Sequence, residues 1–591
     1  MDRTGLVCRY ISEHPYCTQR ELAQKLELSL GTINTLLKEC CKNRLLAQEK
    51  SIAGTYELTG KGTSYLEQFQ VDGALIIAAG FGSRFVPLTF ETPKGLLEVF
   101  GERMIERQIR QLHQVGIKDI TIVVGYLKEK FEYLIDRYGV KLLYNPEYSC
   151  KNTLATLYKA REILRGRNMY VLSSDNWLRE NMFHTWECGA WYSSIYMEGN
   201  TSEWELIFNK KKRITGITIG GNNCWVMYGP VYFSRDFSDQ FIPLLENAYM
   251  APGTEQMYWE HVLMNQIENL EIYINKQPED QVYEFENLEE LRMFDPKYQN
   301  QSNNRAMELV ADVFQVQESE IQGIQCLKSG MTNKSFLFQL KDQHYICRIP
   351  GPGTELLINR VQESEVYKTI QPLDISEKII YMNGHNGYKI VEYYEGARTA
   401  RADSREDMIA CMKVLRRLHE SGLAVDHDFD IRERILFYER LCMSHGGTLF
   451  EDYDKIQNQM VELMDNLDHL DRPKTLAHID SNVDNFLILP DGQIRLIDWE
   501  YSGMCDPLAD LGMCAIYSYY NEEEVEQLMD IYFERPAEPE ERLAVYSYIA
   551  LGGFLWTLWA VYKSSLGEEF GDYTLVMYRY AKRYYEKIKK M

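Results

Sequence analysis

His478-Ile-Asp480-Ser-Asn-Val-Asp-Asn485, followed by Ile494-Arg-Leu-Ile497-Asp498, is the stretch on which the reading of this chain turns. Moving a phosphoryl group from a nucleoside triphosphate to a hydroxyl asks for a carboxylate near the hydroxyl and oxygen ligands for Mg²⁺. An Asp, an Asn and a second Asp in that order are how kinases supply them. Asp491-Gly492 is a turn signal between Phe486-Leu-Ile-Leu489 and Ile494-Arg-Leu-Ile497. Folding the chain symmetrically about that turn sets Asn485 opposite Asp498. One hairpin would thus gather both metal ligands, Asn485 and Asp498, with Asp480 ahead of them as the base. A polar loop before an ordinary hairpin explains the turn but not the order of the three residues.

The sequence before this stretch is expected to supply the other lobe of a protein-kinase-like, two-lobed fold. Gly330-Met-Thr-Asn333-Lys-Ser335 lies between two strand patterns and could cover the phosphates, through Asn333 and Ser335. Arg348, in Tyr345-Ile-Cys-Arg-Ile-Pro350, stands where kinases place a basic phosphate contact, and Glu363 or Glu365 could pair with it. Val391-Glu392-Tyr-Tyr-Glu395 reads as the hinge between lobes, with Glu392 at the nucleotide.

Residues 305–591 resemble the choline/ethanolamine kinase branch of the aminoglycoside phosphotransferase-like fold. The resemblance implies ATP and Mg²⁺. It also implies that Tyr501, Tyr520, Trp556, Trp559 and Tyr573 box a quaternary ammonium. Physics agrees on the residue type: a trimethylammonium has no N–H to donate, so aromatic faces are its natural wall, at about 0.5–2 kcal/mol each. Trp556 and Trp559 share one helical face. The competing reading is core packing.

From Val71 the pattern becomes alternating strands and helices. Ala74-Leu-Ile-Ile-Ala-Ala79 is an apolar run suited to a buried parallel strand, and Ile120–Val124 and Met169–Leu172 repeat it. An α/β domain with a Rossmann-like, mostly parallel sheet is expected. The first run leads into Ala79-Gly80-Phe-Gly82-Ser83-Arg84, where glycines admit a triphosphate to the backbone and Arg84 adds a cationic fork. Thr92-Pro-Lys94-Gly-Leu-Leu97 follows. Asp175 ends a later strand, where open α/β sheets bind ligands, and suits Mg²⁺; a helix N-cap is the alternative.

These motifs resemble the nucleoside-triphosphate transferase family of sugar pyrophosphorylases and phosphocholine cytidylyltransferases, over residues 72–294. The resemblance assigns Ala79, Gly80, Gly82, Ser83 and Arg84 to the triphosphate, and Lys94 to the α-phosphate and the incoming phosphate. It brings Asn152 and Met257-Tyr-Trp259-Glu260 to the substrate. For the second metal ligand it offers Glu286, where the family has an aspartate. No protein nucleophile is needed, because the incoming phosphomonoester attacks for itself.

Ahead of both stands a module of three helices and a hairpin. Thr18-Gln-Arg-Glu21 is a capping box, Ser29 caps the next helix, and Ala53-Gly54 marks a turn between two short strand patterns. This looks like a winged helix-turn-helix. It is close to charge-balanced in a chain whose net charge is −23, so DNA binding and a structural or dimerising role both stand. The stretch Asp295–Arg305 reads as a linker. The expected domains are 1–70, 71–294 and 305–591, joined by 295–304.

Thirteen scattered cysteines without C-x-x-C pairs, and an N-terminus interrupted early by charge, suggest a cytoplasmic protein with reduced thiols. Leu543–Tyr562 is long enough to span a bilayer, but its tyrosines, glycines and hydroxyls read as a buried core helix.

Together the two halves read as a bifunctional enzyme. Choline and ATP give phosphocholine, which with CTP gives CDP-choline. The alternatives are a sugar or amino-alcohol (ethanolamine) kinase fused to its matching nucleotidyltransferase, and a transcription regulator that senses ligands through these domains.

Overall fold

The computed structural model describes residues 1–48, 54–327, 333–351, 354, 357–446, 450–470, 472–567 and 570–591. Ala53, in the expected wing turn, and Gly330-Met-Thr, in the expected phosphate loop, lie outside them. The chain forms two compact units, one of Met1–Glu308 with Gln317–Ser319, the other of Leu309–Val316 with Glu320–Met591.

The first unit opens with helices α1 (Arg3–Glu13), α2 (Gln19–Lys25) and α3 (Leu30–Lys42), then an antiparallel pair, Leu46–Gln48 and Tyr56–Leu58. The capping box forms: Thr18 N donates to Glu21 at 2.7 Å, and Glu21 N to Thr18 Oγ1 at 3.3 Å. Ser29 accepts from Thr32 N at 3.1 Å. Val7, Ile11, Leu22, Ile33 and Leu37 close the small core. This module packs on the sheet domain through Arg9–Glu187 (2.5 Å) and His184–Glu13 (2.9 Å).

The sheet has seven strands in the order Tyr273–Lys276, Trp191–Phe208, Ile214–Phe233, Met169–Ser173, Gly73–Ala78, Ile120–Val124 and Lys141–Tyr144. The three apolar runs read as buried strands lie side by side and parallel. A long antiparallel hairpin, Trp191–Phe208 with Ile214–Phe233, extends the sheet. The stretch 295–304 is bound into this unit: Phe100 N donates to Asp295 (2.7 Å), Tyr298 OH to Glu98 O (2.7 Å) and Asn304 Nδ2 to Pro87 O (3.2 Å).

In the second unit an antiparallel sheet runs Gln322–Cys326, Asn333–Leu340, Gln343–Pro350, Lys389–Glu392, Ile379–Met382, with helix Arg360–Ile370 in the same lobe. A helical lobe follows. Its central helix, Pro539–Ser565, is the one described helix long and apolar enough to cross a membrane, and its most apolar window is wholly buried inside the protein. Helix Leu508–Tyr517 packs against it so closely that a Cβ on Gly512 would lie 2.7 Å from Tyr548 Cβ.

Candidate active sites

In the first unit, one cavity of about 730 Å³ opens beyond the carboxyl end of strand Gly73–Ala78. Ala79, Gly80, Gly82, Ser83, Arg84 and Lys94 line it, as do Asn152, Asp175, Glu260 and Glu286. Gly82 has φ +68°, and a Cβ there would stand 3.3 Å from Lys94 Cβ, so the turn needs glycine to approach the lysine. Lys94 Nζ donates to Asp175 at 2.7 Å.

Trp259 is not part of this cavity. It is 3% exposed, packs edge-on to Phe233 and Phe241, and stacks behind Tyr192 with centroids 6.0 Å apart. Successive residues on a helix point about 100° apart, so Glu260 reaches the cavity while Trp259 turns into the core. The rings that do line the cavity are Phe85, Tyr192, Trp204, Tyr228 and Tyr258, beside Glu203, Glu260 and Glu284. Tyr192 and Trp204 lie on the long hairpin, whose sequence carries no clean alternation to announce it.

Beside the expected Glu286, Glu284 also lines this cavity, and its carboxyl feels the Asp175 charge. Glu286 pairs with Arg84, and both side chains are substantially exposed. Glu284 is half-buried, accepts from Asn176 Nδ2 at 3.2 Å, and its carboxyl is pushed up to about 7 by desolvation and then by the Asp175 charge. Strand Val282–Glu284 ends at Glu284, and Glu286, two residues on, still lines the cavity, where it meets Arg84. Burial pushes Glu260 further, to about 8, and its Oε2 has no hydrogen-bond partner.

In the second unit the hairpin forms with a register one residue off the symmetric expectation. Phe486 pairs with Leu496 and Ile488 with Ile494, and Ile497 N donates to Asn485 O at 2.9 Å. Asn485 therefore faces Ile497, not Asp498. The cause is a three-residue loop, Pro490-Asp491-Gly492, closed by Gln493 O accepting from Leu489 N at 2.8 Å, with Gly492 at φ +84°. Asp498 then adopts φ +65° as the chain leaves the strand.

The three chemical residues still converge. Asn485 Nδ2 donates to Asp480 Oδ2 at 2.9 Å and to its carbonyl at 2.8 Å. Burial, and then the Asp498 charge, push the Asp480 carboxyl up to about 7. Asp498 lies 3.7 Å from Arg348. Arg348 forks onto Glu363 at 2.5 and 2.8 Å; Glu365 instead sits 3.9 Å from His427. Burial opposes ionisation of Glu363, yet Arg348, Lys389 and Arg360 hold it down to about 2.

Other expected contacts are engaged within the protein. Asn333 donates to Glu500 at 3.0 Å and accepts from Arg360 at 2.8 Å. Ser335 sits opposite Arg348 in the sheet. Glu392 closes its strand and pairs with Lys378 at 2.7 Å.

Tyr501, Trp556, Trp559, Phe570 and Tyr573 form a chain of ring contacts with centroids 5.2–6.2 Å apart. Tyr517 joins it at Trp556 (5.9 Å) and lies near enough to Asp480 to favour its ionised form, so the rings reach the carboxylate. Trp559 Nε1 is buried without a hydrogen-bond partner. Tyr520 stands apart from these rings, its hydroxyl donating to Ala402 O at 2.5 Å. Sequence reading missed Tyr517 and Phe570, although Tyr517 follows Met513 and Cys514 on one helical face.

The fold and the two sites define a transferase enzyme with separate nucleotidyl- and phosphoryl-transfer centres. A nucleotidyl transferase family model matches residues 73–187, a phosphotransferase enzyme family model residues 323–546, and a winged helix-turn-helix DNA-binding model residues 7–46. The choline-phosphate cytidylyltransferase of Streptococcus pneumoniae is 32% identical over 229 residues, 39% of this chain and 99% of that protein. The 2-aminoethylphosphonate cytidylyltransferase of Lancefieldella rimae is 35% identical over 227 residues, 38% and 92% respectively. A solved structure, the choline kinase LicA of Streptococcus pneumoniae, is 29% identical and covers 47% of this chain and 97% of that one, with a TM-score of 0.42. The chain belongs to the nucleotidyl transferase family through its first unit, and its second unit matches the phosphotransferase enzyme family model.

The geometry separates the two glutamates by experiment. Glu284→Gln is expected to raise the Mg²⁺ concentration for half-maximal nucleotidyl transfer by roughly ten- to a hundredfold. Glu286→Gln should leave it within about twofold. A Mg²⁺ titration of pyrophosphate release checks both, and the reverse ranking would return the role to Glu286.

Proposed function

We propose that the second unit phosphorylates choline with ATP, and that the first unit joins phosphocholine to CTP, giving CDP-choline and pyrophosphate. The observation that carries this reading is the run of aromatic rings ending at Asp480. A quaternary ammonium against Trp556, Trp559 and Tyr501 would hold its own hydroxyl near Asp480, a carboxylate able to take the proton. The hydroxyl oxygen bonds to the γ-phosphorus, the β–γ bridge breaks, ADP leaves, and the proton passes to Asp480. The name of the choline-phosphate cytidylyltransferase relative supports phosphocholine, while that of the 2-aminoethylphosphonate cytidylyltransferase points to a primary amine.

Oxygen donors at both centres suit Mg²⁺. Asn485 spends its Nδ2 on Asp480, which leaves its amide oxygen for a metal beside Asp498. In the first unit, Asp175 and Glu284 are like charges that a cation would relieve. No group of three or more His, Cys, Asp or Glu able to hold a metal occurs among the described residues. That fits Mg²⁺, which takes one or two carboxylates and completes its shell with phosphate and water. When bound, it would neutralise charge on the phosphates. Lys94 and Arg84 would hold the α-phosphate and the departing pyrophosphate, and the phosphocholine oxygen would attack the α-phosphorus in line.

A second reading has its own observation. The unpartnered Glu260 Oε2, with Glu203 and Glu284 on the same cavity, offers acceptors that a primary ammonium could use and a trimethylammonium could not. On that reading the first unit prefers 2-aminoethylphosphonate or phosphoethanolamine. Comparing kcat/KM for these with phosphocholine decides: a preference for either primary amine would overturn the choline assignment of this unit.

For residues 1–70 the reading is DNA contact through α3, supported by the matching family model and by exposed Thr35, Lys38 and Lys42 on that helix. The free cysteines support a reducing, cytoplasmic location.

Three outcomes test these readings. Asp480→Asn should slow CDP-choline formation from choline, ATP and CTP by roughly 100- to 10,000-fold, while formation from added phosphocholine persists. Loss of both in the folded variant would refute separate centres. For pH, the Glu260 carboxyl is protonated below about 8 in the free protein, and a bound cation favours the carboxylate. The KM for phosphocholine should therefore fall roughly five- to tenfold between about pH 7 and 9, and Glu260→Gln should flatten that profile. Finally, Lys38→Glu with Lys42→Glu should abolish salt-sensitive DNA retardation with both rates unchanged; no retardation by the native chain would leave a structural role.

A further inference from the structure

A second cavity in the first unit, of about 570 Å³, lies between the winged-helix module and the catalytic sheet. Arg3, Arg9 and Lys25 line it from one side, and Lys210, Lys211 and Lys212, at the turn of the long hairpin, from the other. Two carboxylates also line it, and both are already matched: Glu187 by Arg9 at 2.5 Å and Glu27 by Lys212 at 2.8 Å. Among the described residues, no carboxylate lies within 4.0 Å of Arg3, Lys25, Lys210 or Lys211. Four uncompensated cations thus face one concavity in a chain whose net charge is −23.

A run of lysines on a convex turn is ordinarily a solvated face. Here the run meets cations from another module across a cavity, where like charges repel and low-dielectric walls focus the field. Beneath the exposed cations lie buried Trp191 and Ile274, with Leu26 and Leu28 between. Asn275 and Gln277 add amides beside them. Arg9, deep in the wall, has a buried Nε with no hydrogen-bond partner. A cationic rim over an apolar, amide-bearing floor matches a molecule with phosphates at one end and a flat heterocycle at the other, and the volume suits one such ligand.

We propose that this cavity is a nucleotide-binding site distinct from both catalytic centres, taking a nucleoside di- or triphosphate or its ester. Because its walls come from both modules, occupancy fixes the winged helix on the catalytic sheet. It also bears on the hairpin that carries Tyr192 and Trp204 to the substrate cavity. This gives the front module a way to report nucleotide level.

Hydrogen–deuterium exchange of the full chain tests it, with CTP, CDP-choline, ATP and pyrophosphate as probes. At least one nucleotide should protect residues 1–28 and 208–214 in a saturable way, besides the CTP-dependent protection of residues 79–97. Lys25→Glu with Lys211→Glu, both exposed and outside the catalytic cavity, should weaken the first protection at least tenfold and leave the second unchanged. Protection confined to 79–97 would overturn the site. So would unchanged protection in the double variant, which would mean a signal carried from the catalytic cavity. Equal protection by pyrophosphate would overturn the nucleotide assignment.

Discussion

The kinase centre depends on one buried carboxylate that touches no substrate. Asp510 is fully buried, and burial alone would raise its pKa, yet it is held below the ordinary range by His419 and by backbone N–H groups. It accepts from His419 Nε2 (2.8 Å), His478 N (2.9 Å) and Ile479 N (2.5 Å), while its own carbonyl takes Ser481 Oγ (2.6 Å). His478, Ile479 and Ser481 flank Asp480 in the loop that presents it. Ile479 is held at φ +70°, a region a β-branched residue avoids at a cost of about 1–3 kcal/mol. The carboxylate over-determines that turn, and the turn aims Asp480. Tyr532 supports His419 from behind at 2.8 Å, so the chain of constraint runs from the helical core to the reacting end.

The same rule, that a buried charge must be met, organises the neighbouring lobe. Arg348, Glu363, Arg360, Glu500 and Asn333 form one network, in which the Nε of Arg348 and of Arg360 are the buried atoms without a hydrogen-bond partner. Arg348 reaches Asp498 only after its fork is committed to Glu363. Such a network adds little stability, since desolvation offsets attraction, but it fixes relative position. The first unit uses the complementary device. Its substrate cavity keeps acids under-matched, Glu260 and Glu284 among them, and such a cavity waits for a cation.

What the sequence made legible follows from how local each signal is. The capping box, the glycine turn after Ala79 and the order Asp480, Asn485, Asp498 are short-range patterns, and they are present in the structure. The hairpin pairing was off by one residue because the loop length between Leu489 and Gln493 depends on where proline and glycine divide the turn. Glu284 and Glu286 have the same strand parity, so alternation offers both to the cavity, and both line it. Tyr192, Trp204 and Glu203 come from a hairpin with several irregular pairings, which erases period-two patterning. Trp259 was chosen for its neighbour, and a helix turns neighbours apart. Asp510 and His419 are distant in sequence, and nothing local links them.

The end of the first unit has a consequence for anyone who would separate the halves. Arg292 is 4% exposed, and its guanidinium donates to Tyr298 O at 3.3 Å and to Glu318 O at 2.8 Å. Glu318 also accepts from Ser302 N at 3.0 Å through its side chain. Tyr298 thus arrives after the sheet is complete, and Glu318 only after helix Arg305–Phe314 has begun the other unit. A gene cut at 294 would strip both carbonyls from Arg292. The cytidylyltransferase half, transplanted alone, has to carry its tail through Ser319, and on the ribosome it is not finished until that tail emerges.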